Sequence, residues 1–205
     1  LFLKEAYLTA ALEHPNIISV FDVGLREEDE PYFIMELKIG KTLDEITKTS
    51  KDLNELLQIF LKVCDAVSYA HSINVVHLDI KPDNIQVGEF GEVKLCDWGL
   101  ACKIDDIKQD SDFISGTPGF MSPEQVTNGT IGCHTDIFSL GALLYFILTG
   151  TAPFDGGLNT KLAKTLDGDF QSPLDKKLDF DVSTSLDAVV RRAMAGDPQD
   201  RYTSV

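Results

Sequence analysis

The sequence predicts an α+β fold in which a helix and a pair of antiparallel strands precede a mostly helical remainder. Short runs rich in β-branched and aromatic residues, bounded by turn residues, occur in the first half of the chain. Apolar residues recur at helical spacing in several segments, the longest at residues 53–74. The chain has 205 residues, 43% apolar and 25% charged, which is typical of a protein that folds around a core.

The first predicted elements are a helix and a hairpin. The helix has its apolar positions at Phe2, Ala6, Leu8, Ala11 and Leu12. Pro15 ends this helix, since proline is not accommodated in a helix interior. Residues 17–24 and 31–37 are predicted strands. The polar turn that separates them favours an antiparallel pair.

The remainder is predicted to contain a second hairpin and four helices. The hairpin has its strands within residues 75–87 and 91–99, joined by the turn Gly-Glu-Phe-Gly. Residues 99–124 are polar, contain Gly and Pro, and lack a period, so a long functional loop is expected. The predicted helices lie at residues 53–74, 136–148, 159–166 and 186–195.

The charge of the chain limits its partners. The formal net charge is −15 and the pI is about 4.5. An acidic surface repels phosphate backbones, so we expect no nucleic-acid partner. A cationic peptide fits better as a partner, although acidity also keeps proteins soluble.

No membrane segment is expected within the chain, because its longest apolar run, at residues 137–148, is too short to span a bilayer. The four cysteines form no C-x-x-C pair, which favours reduced thiols in a cytoplasmic protein. The chain starts at Leu1, in the middle of a helical pattern. We therefore expect a piece of a longer protein, which flanking segments outside this chain could attach to a membrane.

Polar side chains gather at the ends of the second hairpin. The stretch at residues 75–87 reads VVHLDIKPDNIQV, and the returning strand ends in LCDWG. The hairpin places Asp79, Asn84 and Asp97 around one cleft. Such a set suits phosphoryl transfer, in which one carboxylate orients a hydroxyl while an amide and a second carboxylate hold Mg²⁺. Alternatively, these residues are ordinary turn residues at strand ends.

The motifs HLDIKPDN, DWG, GTPGFMSPE and DIFSLG occur in this order. Together they resemble the eukaryotic-type serine/threonine protein kinases, including those of bacteria. The resemblance covers nearly the whole chain and implies a protein-kinase-like fold. Residues 1–37 would form part of the small lobe, with helix C and two strands. Residues 38–205 would form the mostly helical large lobe, incomplete at its C-terminal end.

The resemblance implies a function for individual residues of the catalytic centre. Asp79 resembles the catalytic base, and Lys81 the lysine that contacts the transferred phosphate. Asn84 and Asp97 resemble the Mg²⁺ ligands. Thr117 resembles the threonine that bonds to the base and the lysine.

The resemblance also implies ATP and Mg²⁺ as cofactors and a protein as the phosphate acceptor. Met35 falls at the gatekeeper position, and Glu36 and Lys38 would offer backbone groups to adenine. Glu5 resembles the glutamate of helix C. Three further residues would be structural: Glu124, with Arg201 as its partner, and Asp136, which would hold the catalytic loop.

Three departures from the family pattern stand out. Leu78 replaces the arginine of H-R-D, so we expect activity that does not depend on loop phosphates. Trp98 replaces the phenylalanine of D-F-G and should be a buried aromatic residue.

The third departure is that no Gly-rich loop and no strand lysine precede Glu5. We therefore expect the full-length protein to be a serine/threonine kinase and this fragment alone to be weak or inactive. The alternatives are a pseudokinase scaffold and a small-molecule phosphotransferase, and GTPGFMSPE, which in the family supports a peptide substrate, argues against the latter.

Overall fold

The computed structural model describes residues 8–26, 30–107, 116–176 and 181–205. Residues 8–10 are helical, and the chain leaves this helix before Pro15. The remaining part of the predicted first helix, with Glu5, lies outside the described residues. A helix therefore does precede the strands, but only its end is described.

The first hairpin is present as predicted. Strand β1 (Val20–Leu25) pairs antiparallel with strand β2 (Pro31–Met35), with Val23 opposite Phe33. The register shifts between Val20 and Asp22. Such a bulge bends and twists a strand locally.

Two short elements follow that the sequence analysis did not predict. Strand β3 (Lys41–Thr42) leads directly into helix α1 (Leu43–Thr47). Thr42 caps this helix in a reciprocal arrangement with Glu45, which is a capping box. Helix α2 (Leu53–Ser72), capped by Asp52, confirms the predicted long helix.

Four further strands surround the stretch rich in polar residues. They are β4 (Val75–Val76), β5 (Ile85–Val87), β6 (Val93–Leu95) and β7 (Cys102–Lys103). Strands β3, β5 and β6 form an antiparallel sheet in this order, so the second predicted hairpin is confirmed as β5–β6.

Strand β4 is not part of that hairpin and pairs with β7. Strand β7 lies within residues 99–124, where the sequence predicted a loop. That prediction was therefore wrong for the first residues of this range. Two-residue strands have no period that a sequence pattern can reveal.

The remaining described elements are helical. They are α3 (Pro123–Thr127), α4 (Cys133–Thr149), α5 (Leu158–Asp167) and α6 (Thr184–Ala193). The last three confirm the predicted helices within a few residues. Helix α4 is buried on all sides from residue 135 to residue 148. Gly150, with φ of 69°, ends it in the left-handed conformation that glycine adopts without strain.

Two clusters of buried apolar residues form the core. The larger one unites Leu12, Ile17 and Ile18 with helix α2 and the β5–β6 hairpin. The other lies between α4 and α6 and includes Phe138, Phe154 and Val190. Residues 12–18 thus share a core with the rest of the protein, and the lobe boundary at residue 37 stays a prediction. Within the described ranges, no helix has the length and apolar character to span a membrane.

Candidate active site

The centre of the site is a triangle of polar contacts. Lys81 Nζ donates to Asp79 Oδ2 and to Thr117 Oγ1, both at 2.7 Å. Thr117 Oγ1 donates to Asp79 Oδ1 at 2.6 Å. Thr117 is 38 residues from Asp79 along the chain. The structure therefore brings together three of the five residues that the family resemblance assigns to the catalytic centre.

A buried aspartate in helix α4 holds the loop that carries Asp79. Asp136 Oδ2 accepts the backbone N–H of His77 at 2.8 Å, and Asp136 Oδ1 accepts that of Leu78 at 2.9 Å. His71 Nε2 lies 2.8 Å from the same carboxylate. Asp136 is fully buried, and a buried carboxylate requires hydrogen-bonding partners such as these. The predicted structural function of Asp136 is confirmed by these contacts.

The electrostatics of Asp79 favour an ionised carboxylate. Burial raises its pKa, but the hydrogen bonds from Lys81 and Thr117 outweigh burial, and the net pKa lies below the ordinary value for aspartate. At neutral pH, Asp79 is thus available to accept a hydrogen bond from a hydroxyl. A low pKa suits a carboxylate that orients a hydroxyl rather than one that removes its proton early.

His77 links Asp79 to the second strand of the hairpin. Its Nδ1 accepts the backbone N–H of Asp79, and its Nε2 lies against the Cys96 carbonyl, both at 3.2 Å. Complete burial lowers the pKa of His77, although Asp136 opposes that shift. The contacts fit a neutral ring that carries its proton on Nε2. These contacts indicate a structural function for His77.

Asn84 and Asp97 stand at neighbouring strand ends. Asn84 Nδ2 donates to the Asp79 carbonyl at 2.9 Å and to Asp79 Oδ2 at 3.2 Å. The Asn84 carbonyl accepts the N–H of Cys96 at 2.8 Å, which brings the next residue, Asp97, to the same end of the hairpin. Asp97 is exposed and adopts a left-handed backbone with φ of 62°. Such non-glycine positions are uncommon and cluster at functional sites.

A cavity of about 290 Å³ lies beside Asp97. Its lining includes Met35, Lys38, Asp97 and Trp98. Trp98 is 1% exposed, its Nε1 donates to the Leu95 carbonyl at 3.2 Å, and its ring centroid lies 4.5 Å from that of His77. Trp98 is therefore the buried aromatic residue that the sequence predicts.

Glu36 lies at the end of β2 and faces the β5–β6 hairpin. Its carboxylate forms an ion pair with Lys94 at 3.0 Å. Its backbone N–H donates to the Ser19 carbonyl at 2.8 Å. The side chain of Glu36 therefore holds the connection after β2 against β6.

A buried ion pair connects the start of α3 with the end of the chain. Arg201 Nη1 and Nη2 donate to the two oxygens of Glu124 at 2.7 and 2.9 Å. The paired geometry is the strong form of this interaction. Burial raises the pKa of Glu124, but Arg201 outweighs it and the net pKa is lowered. The partner that the resemblance implied for Glu124 is confirmed.

Two contacts in the site have no local signal in the sequence. Gln125 Nε2 donates to the Leu78 carbonyl at 2.9 Å, across 47 residues. His71 reaches Asp136 across 65 residues. The motif Ser-x-x-Gln at residues 122–125 predicts a helix start, yet it does not reveal the second bond of Gln125.

The comparisons with known proteins agree with this geometry. The protein kinase domain family matches residues 1–205. The serine/threonine-protein kinase PknB of Mycobacterium leprae is 35% identical over 209 residues, which cover 98% of this chain and 33% of that protein. PknB of Mycobacterium tuberculosis is 34% identical over 210 residues, with the same two coverages.

The serine/threonine-protein kinase PknD of Protochlamydia amoebophila is 32% identical over 237 residues, which cover all of this chain and 24% of that protein. The chain therefore belongs to the protein kinase domain family, and specifically to its bacterial serine/threonine-type members. It spans a third or less of the length of these relatives. Members of this family use ATP and Mg²⁺ and phosphorylate proteins.

Proposed function

We propose that the protein containing this chain is a serine/threonine protein kinase that transfers the γ-phosphate of ATP to protein hydroxyls. The observation that carries the proposal is the contact triangle of Asp79, Lys81 and Thr117. In this arrangement the hydroxyl of Thr117 contacts both the carboxylate of Asp79 and the ammonium group of Lys81. A serine or threonine hydroxyl of a substrate requires the same two partners.

Asp79 would orient the attacking hydroxyl and take up its proton late in the reaction, because its pKa lies below the ordinary value. Lys81, which is half-buried beside it, would stabilise negative charge on the transferred phosphoryl group. Thr117 would hold both groups at a fixed distance. Positioning and electrostatics are the main contributions that a protein makes to phosphoryl transfer.

Asn84 and Asp97 are the residues that would hold Mg²⁺. Asn84 Nδ2 is engaged by Asp79, which leaves its oxygen for a cation, and Asp97 adds an exposed carboxylate. Mg²⁺ prefers such oxygen ligands and completes its shell with phosphate oxygens and water. When bound, Mg²⁺ would neutralise negative charge on the phosphates. No cluster of three or more His, Cys, Asp or Glu fit for a metal occurs in the described ranges.

The nucleotide would lie between the connection after β2 and the hairpin end. Met35 lines the cavity beside Asp97 and would act as gatekeeper. The backbone groups of Glu36 and Lys38 would bind adenine. Glu5, which lies outside the described residues, would be the helix-C glutamate of the nucleotide site. We also propose a cytoplasmic location for the catalytic domain, where ATP is available and its four free thiols stay reduced.

The scaffold alternative is favoured by Leu78 and Trp98, which depart from the motifs of active kinases. It is tested with the full-length protein and its Asp79→Asn variant. We expect Mg²⁺-dependent transfer of labelled γ-phosphate to a basic protein, and a loss of ~10²–10⁴-fold in the variant. Asp83→Asn is a matched control, because the same change then falls on an exposed residue of the same loop, and the rate should stay unchanged.

If neither protein transfers phosphate, although both are folded and ATP binding has been measured separately, the domain is a scaffold. An equal rate for the wild type and Asp79→Asn would exclude Asp79 as the catalytic base. Equal loss in Asp79→Asn and Asp83→Asn would indicate damage to the loop rather than to the chemistry.

A further inference from the structure

Gln125 connects two parts of the site through the two ends of its side-chain amide. Its Oε1 accepts the backbone N–H of Ser122 at 3.0 Å and so completes the capping box of helix α3. Its Nε2 donates to the carbonyl of Leu78 at 2.9 Å. The residue is 4% exposed. A helix cap requires only the first of these bonds, so the second calls for a separate explanation.

The acceptor of that second bond lies directly before Asp79 in an unusual conformation. Leu78 has φ of 67°, in the left-handed region that residues with a Cβ rarely adopt. Its N–H is held by Asp136 and its carbonyl by Gln125. Residues in such conformations persist where their surroundings fix them. These two bonds therefore fix the peptide groups on both sides of Leu78, and the second peptide group is shared with Asp79.

The segment at residues 116–125 fits closely around this contact. Gly116 has φ of +131°, and a Cβ there would lie 3.0 Å from Gln125 Nε2 and 3.2 Å from the Leu78 carbonyl. The next residue, Thr117, donates to Asp79. The two ends of this segment thus contact the same loop. Thr117 bonds to the carboxylate of Asp79, and Gln125 bonds to the backbone that orients it.

We propose that Gln125 is a positioning residue, which aligns Asp79 for phosphoryl transfer by holding the carbonyl of Leu78. The inference rests on the proposed kinase function. At the Gln125 end of the segment, the connection to the loop is made by an uncharged amide and a main-chain carbonyl. Leu78 offers no side-chain charge for a connection of its own. Alignment of Asp79 then depends on a folded helix α3 and needs no phosphate on the loop.

Two substitutions separate the donor from the helix cap. Gln125→Glu keeps an acceptor for Ser122 but has no donor for Leu78. Gln125→Met is neutral, similar in size, and lacks both groups. The two variants share only the loss of the donor. Gln171→Glu is a matched control, because exposed Gln171 Nε2 also donates to a carbonyl, that of Asp175, at 2.9 Å.

The measurement is steady-state phosphate transfer by the full-length protein, with a serine or threonine peptide as acceptor and the ATP concentration varied. We expect kcat to fall ~10–10²-fold in both Gln125 variants, with little change in KM for ATP. Gln171→Glu should match the wild type.

The inference is overturned if both variants fold and retain the kcat of the wild type, while Asp79→Asn is inactive. That outcome would leave the kinase function in place. A fall in kcat that follows lost thermal stability and comes with a raised KM for ATP would show a structural effect alone. A fall in Gln125→Glu but not in Gln125→Met would be an effect of buried charge. Absence of transfer by the wild type would overturn both proposals.

Discussion

The imidazole of His77 contacts both halves of the site and is completely buried. It accepts the Asp79 N–H and lies against the carbonyl before Asp97. A protonated ring would place a hydrogen on Nδ1, facing the N–H of Asp79, and would lose that bond. Since burial is the main cause that lowers the pKa of His77, the folded protein holds the neutral form.

The preference of the folded protein for a neutral His77 gives a prediction about how stability depends on pH. The folded pKa of His77 lies below the ordinary value of 6.5. As the pH falls below that value, the unfolded chain binds a proton that the folded protein does not, so the free energy of unfolding decreases. The stability that His77 contributes should therefore be present above pH 6.5 and decrease as the pH falls below it.

Urea denaturation at several pH values measures this contribution, with His77→Gln as the comparison. The two proteins differ only at residue 77, so the difference in slope isolates His77. The variant should be less stable at the higher pH but should lose less stability on acidification. Equal slopes for the two proteins would contradict a neutral, buried His77.

At the scale of elements, the packing of α4 against α6 depends on a glycine. A Cβ at Gly141 would lie 2.7 Å from the Cβ of Ala193 and 2.8 Å from the Cγ of Met194. Contacts of this length do not occur between folded side chains, so one of the helices would have to shift. Helix propensity alone favours alanine over glycine by about 1 kcal/mol in a helix interior.

Gly141→Ala should therefore destabilise the protein, against its helix propensity, by about 1–3 kcal/mol through overpacking. Gly196→Ala is the control, because an added Cβ there meets no heavy atom within 4 Å, and its effect should stay within about 0.5 kcal/mol. Thermal or chemical denaturation distinguishes the two. A more stable Gly141→Ala variant would show that the helices can separate without cost.

The elements that the sequence predicts well are those with a period or a turn signal. Helix α2 shows its apolar repeat over twenty residues, and the β5–β6 hairpin has its glycine turn. Strands β3, β4 and β7 have two residues each, so their pairing depends on tertiary contacts. Helix α1 was missed although Thr42 and Glu45 carry a capping-box signal, because five residues are too few to show a period.

The contacts of the candidate site also divide into those that the sequence predicts and those that it does not. Asp79, Lys81 and Asn84 lie within six residues of one motif, so their proximity follows from the local sequence. The contact of Thr117 with Asp79 was inferred from the family resemblance. The bond from Gln125 to Leu78 joins a side chain to a backbone group that every residue has, so nothing in the residue types indicates it.

At the scale of the whole molecule, the dominant feature is the charge. The sequence carries a formal net charge of −15. A potential of this sign attracts cationic peptides and increases their rate of encounter with the site. Salt screens such attraction, since the Debye length falls from about 30 Å at 0.01 M to about 8 Å at 0.15 M ionic strength.

With the kinase function proposed above, the protein containing this chain should prefer basic acceptor peptides, most strongly at low salt. We expect kcat/KM for a lysine- and arginine-rich serine peptide to fall ~10-fold between these two ionic strengths. The control is a peptide of the same length without net charge, whose kcat/KM should change little. The contact between Asp79 and Lys81 is short and only partly exposed, so salt should affect kcat less than KM. Equal salt dependence for the two peptides would show that the net charge maintains solubility and does not select the substrate.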